Sequence, residues 1–241
     1  MGYKRAIFTG NYLEVWSYEK EVNVTPSRAP RLRKSRTVPV QRSYFSISQS
    51  RKTFTRLIQS NLHRTETVGF ATFTFASTVG FAEGTKAFTT FVKSLRRDYN
   101  LSFEYVAVPE FQKRGSIHFH VLFFGLQKEI IENERVDRFL QNIWAYGYVD
   151  CLVTDRSPKI AHYMGKYLSK TMSDERTSGK KTYFSSRGLV RPVLYKTAEV
   201  VDFVTEGLDV DNVVDANAEY DTMYLGRCTY KKINLTKKLH V

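Results

Sequence analysis

The stretch Phe103-Glu-Tyr-Val-Ala-Val-Pro-Glu-Phe-Gln-Lys-Arg-Gly-Ser-Ile-His-Phe-His-Val-Leu-Phe-Phe124 decides the fold. Two runs rich in aromatic and β-branched residues, 103–111 and 117–124, flank Lys113-Arg114-Gly115. The pattern predicts two strands joined as a hairpin. A strand alternates its side chains between faces, so His118 and His120 point one way and Phe119 the other. Glu110 precedes His118 across the turn. If residue 110 pairs opposite 118 or 120, its carboxylate joins the two imidazoles on one face.

The chain on either side has a regular rhythm. Val68–Phe75 reads as a strand, and Lys86–Tyr99 as a helix with Phe88, Phe91, Val92 and Leu95 on one side. Downstream, Glu132–Ala145 reads as a second helix and Tyr148–Val153 as a further strand. Ser157-Pro158 then caps and opens a third helix, which runs to about Met172. The order β-α-β-β-α-β-α is that of a ferredoxin-like, RRM-like α+β domain with a central, mostly antiparallel sheet. Ahead of it, residues 5–18 predict two short strands joined at Gly10-Asn11. An exposed basic loop follows over 22–39, then an amphipathic helix over Ser50–His63. The expected division is a basic N-terminal extension over 1–63, a core over 64–197, and an acidic stretch with a C-terminal strand packed on the core over 198–241.

A net charge of +13 over 241 residues points to a polyanionic partner, with nucleic acid ahead of an anionic membrane surface. Residues 1–60 hold twelve Lys/Arg against three acids, and the cluster Arg28, Arg31, Arg33, Lys34 and Arg36 reads as a DNA-contacting arm. Ala198–Met223 holds eight acids and no Lys or Arg, so this stretch is expected away from DNA, as a solvated appendage or an intramolecular cover. Cys151 and Cys228 are the only cysteines, too few for a disulfide framework or a thiolate-rich zinc site. The N-terminal residues lack the apolar core of a signal peptide, and no apolar run reaches the ~18 residues of a membrane span. A soluble, cytoplasmic protein with no membrane partner is expected.

Glu110, His118 and His120 form a three-ligand set that leaves positions open for water and a phosphate oxygen. Such a set suits Mg²⁺ or Mn²⁺, with zinc or iron not excluded by geometry. The same residues are compatible with two partly buried, hydrogen-bonded histidines and a Glu110 paired with Lys113 or Arg114. On the third helix Tyr163 and Tyr167 are neighbours on one face, flanked by Lys166 and Lys170, while Ile160, Met164 and Leu168 form the apolar stripe. A phenol is a poor nucleophile at its ordinary pKa near ~10. Adjacent ammonium groups favour the phenolate and steer a phosphate backbone. The alternative for this helix is a solvated Tyr/Lys face. His162 points about 100° from Tyr163 and is expected at the surface or facing DNA.

Three ordered segments carry a family resemblance: Phe70-Ala-Thr-Phe-Thr-Phe75, Val108-Pro-Glu-Phe-Gln-Lys-Arg-Gly-Ser-Ile-His-Phe-His120, and His162-Tyr-Met-Gly-Lys-Tyr-Leu-Ser-Lys170. They resemble the motifs of the HUH endonucleases that initiate rolling-circle replication, most of all those of single-stranded DNA phages and small plasmids. Ser185-Ser-Arg-Gly-Leu-Val-Arg-Pro192 resembles a further segment of that subgroup.

The resemblance implies that His118 and His120, with Glu110 as third ligand, hold Mg²⁺ or Mn²⁺ at a scissile phosphate. It implies attack by a tyrosine, assisted by Lys166, leaving a 5′-phosphotyrosine and a free 3′-OH. Tyr163 is the expected first nucleophile and Tyr167 the second. Arg114, Lys170 and Arg187 are the expected nucleic-acid contacts. The implied partners are single-stranded DNA at an origin hairpin or nick site, a host helicase and a polymerase. Gly80-Phe-Ala-Glu-Gly-Thr-Lys86 has the wrong spacing for a phosphate-binding loop and no hydroxyl after the lysine, so it reads as a loop opening a helix and unwinding falls to the host. Two other functions fit the same residues: a non-catalytic RRM-like module that stacks single-stranded nucleic acid, and a transposase or relaxase of the same superfamily.

Overall fold

A computed structural model describes residues 2–21, 42–126, 136–206, 208 and 214–236. The basic cluster Arg28–Arg36 and the first residues of the expected 132–145 helix lie outside the described residues. In chain order the elements begin with β1 (Lys4–Phe8), β2 (Tyr12–Tyr18), α1 (Tyr44–Gln59), β3 (Val68–Phe75) and α2 (Phe81–Arg97). Next come β4 (Glu104–Phe111), β5 (Ile117–Phe124), α3 (Val136–Ile143), β6 (Gly147–Val153) and α4 (Pro158–Ser173). The chain ends with β7 (Phe184–Ser185), β8 (Val193–Tyr195), α5 (Ala198–Thr205), β9 (Val214–Thr222) and β10 (Gly226–Asn234).

These elements form two compact units, Thr37–Val190 and Met1–Arg36 with Arg191–Val241. The expected boundaries after 63 and 197 are not those of the units. The helix α1, expected in the N-terminal extension, buries Phe54, Leu57 and Ile58 in the core of the 37–190 unit. The terminal segments combine instead into a unit of their own.

The 37–190 unit is built on an antiparallel sheet of order β6-β3-β5-β4-β7. Its first four strands have the split β-α-β arrangement of the expected ferredoxin-like α+β fold. Odd-numbered residues of β3 and β5, among them Phe73, Phe75, Phe119 and Phe123, pack on Phe88, Phe91 and Leu95 of α2 and on Leu140 of α3. The helix α2 starts at Phe81, five residues before Lys86, with Gly80 as its N-cap. A Cβ at Gly84 would lie 2.4 Å from Cγ2 of Ile117, so only glycine lets α2 approach β5 this closely. Gly115 turns the β4–β5 hairpin at φ 87°, the left-handed region that glycine enters without penalty.

Even-numbered residues face the other way. Val106, Val108, Leu122 and Phe124 are covered by Phe54 and Ile58 of α1 and by Ala161, Met164 and Leu168 of α4. The helix α1 begins at Tyr44, earlier than the expected Ser50. The Ser43 hydroxyl caps it by accepting from the Ser46 amide at 3.2 Å, and its exposed first turns carry no apolar stripe for periodicity to detect. The fifth strand, β7, pairs Val106 with Ser185 and Ala107 with Phe184, and was not expected. Two residues are too few to show a period.

In the other unit the sheet order is β8-β1-β2-β10-β9. Strand β2, near the N-terminus, pairs with β10, near the C-terminus, as in Trp16 opposite Tyr230. Ala6, Leu13, Val15 and Ile233 on one face bury Val201 of α5. The described residues of the acidic stretch 198–223 form α5 and the largely exposed edge strand β9. No helix among the described residues is long and apolar enough to cross a membrane.

Candidate active site

The register of the sheet builds the site. Glu110 on β4 sits opposite His118 on β5, and His118 sits opposite Thr74 on β3. One pair further along, Val108, His120 and Thr72 form the next row. Alternation puts Glu110, His118 and His120 on the face that α4 partly covers, with possible ligand atoms all within 4.8 Å of one another. Glu110 and His120 are each only 5 % exposed. Oε2 of Glu110 lies 3.0 Å from Nε2 of His120 and 3.4 Å from Nε2 of His118. Oε1 of Glu110 contacts the Lys170 ammonium, which reaches over from α4.

Burial favours a neutral Glu110, but the two imidazoles and the Lys170 ammonium outweigh it and hold the carboxyl well below the usual carboxylate range. For His120 burial dominates: it pushes the imidazole pKa down, and the nearby carboxylate only partly opposes this. A charged carboxylate beside a neutral imidazole is the protonation state that metal ligation needs. Nε2 of His118 is buried and, among the described residues, has no properly aligned hydrogen-bond partner despite its 3.4 Å approach to Glu110. A buried nitrogen left this way is costly unless water or a cation satisfies it. Nδ1 of His120 is 3.3 Å from Oγ1 of Thr72, the kind of contact that fixes which ring nitrogen stays free to ligate. The donor set thus fits a divalent cation.

The tyrosines come to the same face. Spaced one helical turn apart on α4, both lean on Phe70 of β3, Tyr163 edge-on at 5.4 Å and Tyr167 stacked at 6.4 Å. Tyr167 also stacks on the His120 ring, with centroids 3.5 Å apart. Its hydroxyl donates to the hydroxyl of Tyr163, which is 42 % exposed. Burial first, then the hydrogen bond and charge of the Tyr163 phenol, and last the charge of Glu110 push the Tyr167 phenol above its ordinary pKa.

Lys166 is exposed and lines a cleft beside Tyr163 with His162, Ile160 and Asp155. Arg114, at the hairpin tip, donates to the carbonyls of Phe75 and Ala76 and to Oε1 of Gln112, so its guanidinium ties the hairpin to the end of β3. Arg187 lines a separate cleft with Glu104 and Arg96. Glu104 lies six residues before Glu110 on β4, roughly 20 Å away at strand rise. Of the expected site residues, Glu110, His118, His120, Tyr163, Tyr167 and Lys170 come together, Lys166 adjoins them, and Arg114 and Arg187 stand outside.

Sequence reasoning missed Phe70 and Thr72 as parts of the site. Their signal was available: in Phe70-x-Thr72-x-Thr74 every second residue turns toward the histidines once β3 pairs with β5.

Residues 68–172 match the family model described as Replication-associated protein ORF2/G2P. No curated protein and no solved structure matches the chain. The matched stretch opens with β3 and closes one residue before the end of α4, so it is carried by the sheet and the tyrosine helix themselves. By that match residues 68–172 are similar to the ORF2/G2P replication-associated proteins, a family of rolling-circle replication initiators.

Proposed function

We propose that this protein is a metal-dependent nickase and strand transferase acting on single-stranded origin DNA. The observation that carries the reading is the convergence of a buried Glu–His–His ligand set and two hydroxyl-linked tyrosines on one sheet face. Glu110, His118 and His120 would hold Mg²⁺ or Mn²⁺. When bound, the ion supplies Lewis-acid polarisation of a phosphate oxygen and charge neutralisation.

The chain's own residues supply the nucleophile. As the Tyr163 phenol gives up its proton to solvent, its oxygen attacks the scissile phosphorus, a new P–O bond to the phenol forms, and the bond from phosphorus to the 3′-oxygen breaks. The 3′-oxygen takes up a proton and becomes the free 3′-OH that primes synthesis, while the DNA 5′ end stays on the tyrosine. Tyr163 is favoured as first nucleophile because it accepts the Tyr167 hydrogen bond, which stabilises the developing phenolate. Tyr167, its phenol held protonated, serves first as donor and then as the second nucleophile, when a new round displaces the first linkage. Lys166, which lines the same cleft as Tyr163, would add positive charge near the attacking oxygen, and Lys170, paired with Glu110, would bring its charge to a phosphate held beside that carboxylate. The host would supply helicase and polymerase, in the cytoplasm.

The test is incubation with origin-derived single-stranded oligonucleotides and Mn²⁺, followed by denaturing electrophoresis. A covalent protein–DNA band is expected, reduced by Tyr163→Phe and abolished by the Tyr163→Phe/Tyr167→Phe pair or by His120→Ala. Binding without any adduct over the whole origin region would replace this reading with that of a stacking module.

A further inference from the structure

The sheet face that carries the ligands extends beyond them onto the edge strand β6, and there α4 no longer covers it. The register runs in rows across the sheet: Glu110–His118–Thr74–Tyr148, then Val108–His120–Thr72–Asp150, then Val106–Leu122–Phe70–Leu152. In each row the residue on β6 is exposed, with Tyr148 at 63 % and Leu152 at 61 %. The alternate residues Val149 and Cys151 are buried on the opposite face. Strands lie about 4.8 Å apart, so Tyr148 stands two strands and roughly 10 Å from His118, a span of one to two nucleotides.

The charge around this face is polarised. On the α4 side Lys159, Lys166 and Lys170 are exposed and outnumber Asp155, the carboxylate that lines the cleft beside Tyr163. On the β6 side the row offers a phenol ring, a carboxylate and a leucine. A DNA backbone is attracted to the first side and repelled from the second by Asp150, so a strand whose phosphate lies at Glu110, His118 and His120 must turn its bases toward β6. A tyrosine ring gives an unpaired base a stacking platform. A carboxylate accepts from the exocyclic amine of a base, as it does from cytosine N4, and meets the O4 acceptor of thymine unfavourably.

We infer that β6 is the base-reading half of the site: Tyr148 stacks on an unpaired base beside the scissile phosphate, and Asp150 selects an amino-bearing base next to it. This rests on the nickase reading and adds to it a sequence preference and the residues that impose it. Neither side chain touches the ligand set or the tyrosine pair, and both are exposed, so substituting them leaves the fold intact.

The experiment measures binding of the wild-type protein to short oligo(dC) and oligo(dT) of one length by fluorescence anisotropy at low salt. One hydrogen-bonded base contact or one stacked base is worth about 1–3 kcal/mol, a change of roughly 5- to 160-fold. Wild-type protein is expected to bind oligo(dC) about tenfold more tightly than oligo(dT). Asp150→Ala is expected to remove that preference, and Tyr148→Ala to weaken both complexes about tenfold, with Tyr148→Trp restoring them. Equal binding of the two oligonucleotides by wild type, or Tyr148→Ala and Asp150→Ala proteins that bind as wild type does, would overturn this inference alone. Wild-type protein that bound neither oligonucleotide would also overturn this inference, whereas the nickase reading falls separately, on the absence of a covalent adduct with origin DNA.

Discussion

Replacing Thr72 by valine removes one hydroxyl and keeps the shape of the side chain. The hydroxyl lies 3.3 Å from Nδ1 of His120, whose Nε2 faces Glu110. With Nδ1–H donated to Thr72, Nε2 is left as the ligating nitrogen; without that anchor the ring can turn and the wrong tautomer is populated. Loss of such an outer partner weakens metal affinity by about 10–100-fold. At a metal concentration a hundred times the wild-type Kd, binding stabilises the folded protein by about 2.7 kcal/mol. If Thr72→Val weakens the site thirtyfold, the same concentration contributes only about 0.9 kcal/mol by the same relation. The missing ~1.8 kcal/mol corresponds to roughly 4–7 °C less metal-induced rise in Tm for a chain of this size. The assay is a thermal-unfolding titration with Mn²⁺, read as the difference between metal-loaded and metal-free Tm, so that any change in the metal-free protein cancels. Thr72→Ser, which keeps the oxygen, is the control and is expected to keep most of the rise. An identical Mn²⁺-induced rise in wild type and Thr72→Val would refute the reasoning.

Three further outcomes are expected. Gly84→Ala adds a methyl 2.4 Å from Cγ2 of the fully buried Ile117; overpacking costs about 1–3 kcal/mol and the helix gains about 1, so the urea midpoint should fall or at best hold, and a clear rise would show that α2 can move away. Ser186→Ala takes from the Tyr105 amide the hydroxyl that accepts it at 2.7 Å, a loss of about 1–3 kcal/mol measurable by chemical denaturation, and faster hydrogen exchange at Tyr105 should accompany it. The third concerns pH: burial holds His120 neutral when folded, so below the ordinary value of ~6.5 the unfolded chain takes a proton that the folded one refuses. Stability is therefore present above that pH and lost as pH falls through it. The loss should be smaller in His120→Asn but not absent, because His63 is lowered by burial too.

Local spacing carried much of this architecture. Alternation in 117–124 placed His118 and His120 on one face, and a tight turn at Gly115 brought Glu110 opposite His118, because a hairpin's register follows from its loop. Four-residue spacing made Tyr163 and Tyr167 neighbours on α4, and the hydroxyl pair followed. Boundaries were less legible. The first turns of α1 and α2 bring few large apolar residues to the core, and α1 starts where the Ser43 hydroxyl caps it.

What the amino-acid sequence determined by itself was whatever depends on near neighbours: the hairpin with Glu110, His118 and His120 on one face, the tyrosine helix, and the β-α-β-β-α-β order. Only the tertiary structure decided the contacts made across the chain. Thr72 meets His120 from 48 residues away, and the Lys170 ammonium reaches Glu110. β7 adds itself to β4, and β2 pairs with β10 so that two terminal segments share one sheet. The row from Glu110 to Tyr148 exists only once four strands lie side by side. The physical reason is that periodicity records which face of its own element a residue occupies, whereas the choice of partner element is made by burial of whole faces against one another, which no local pattern encodes.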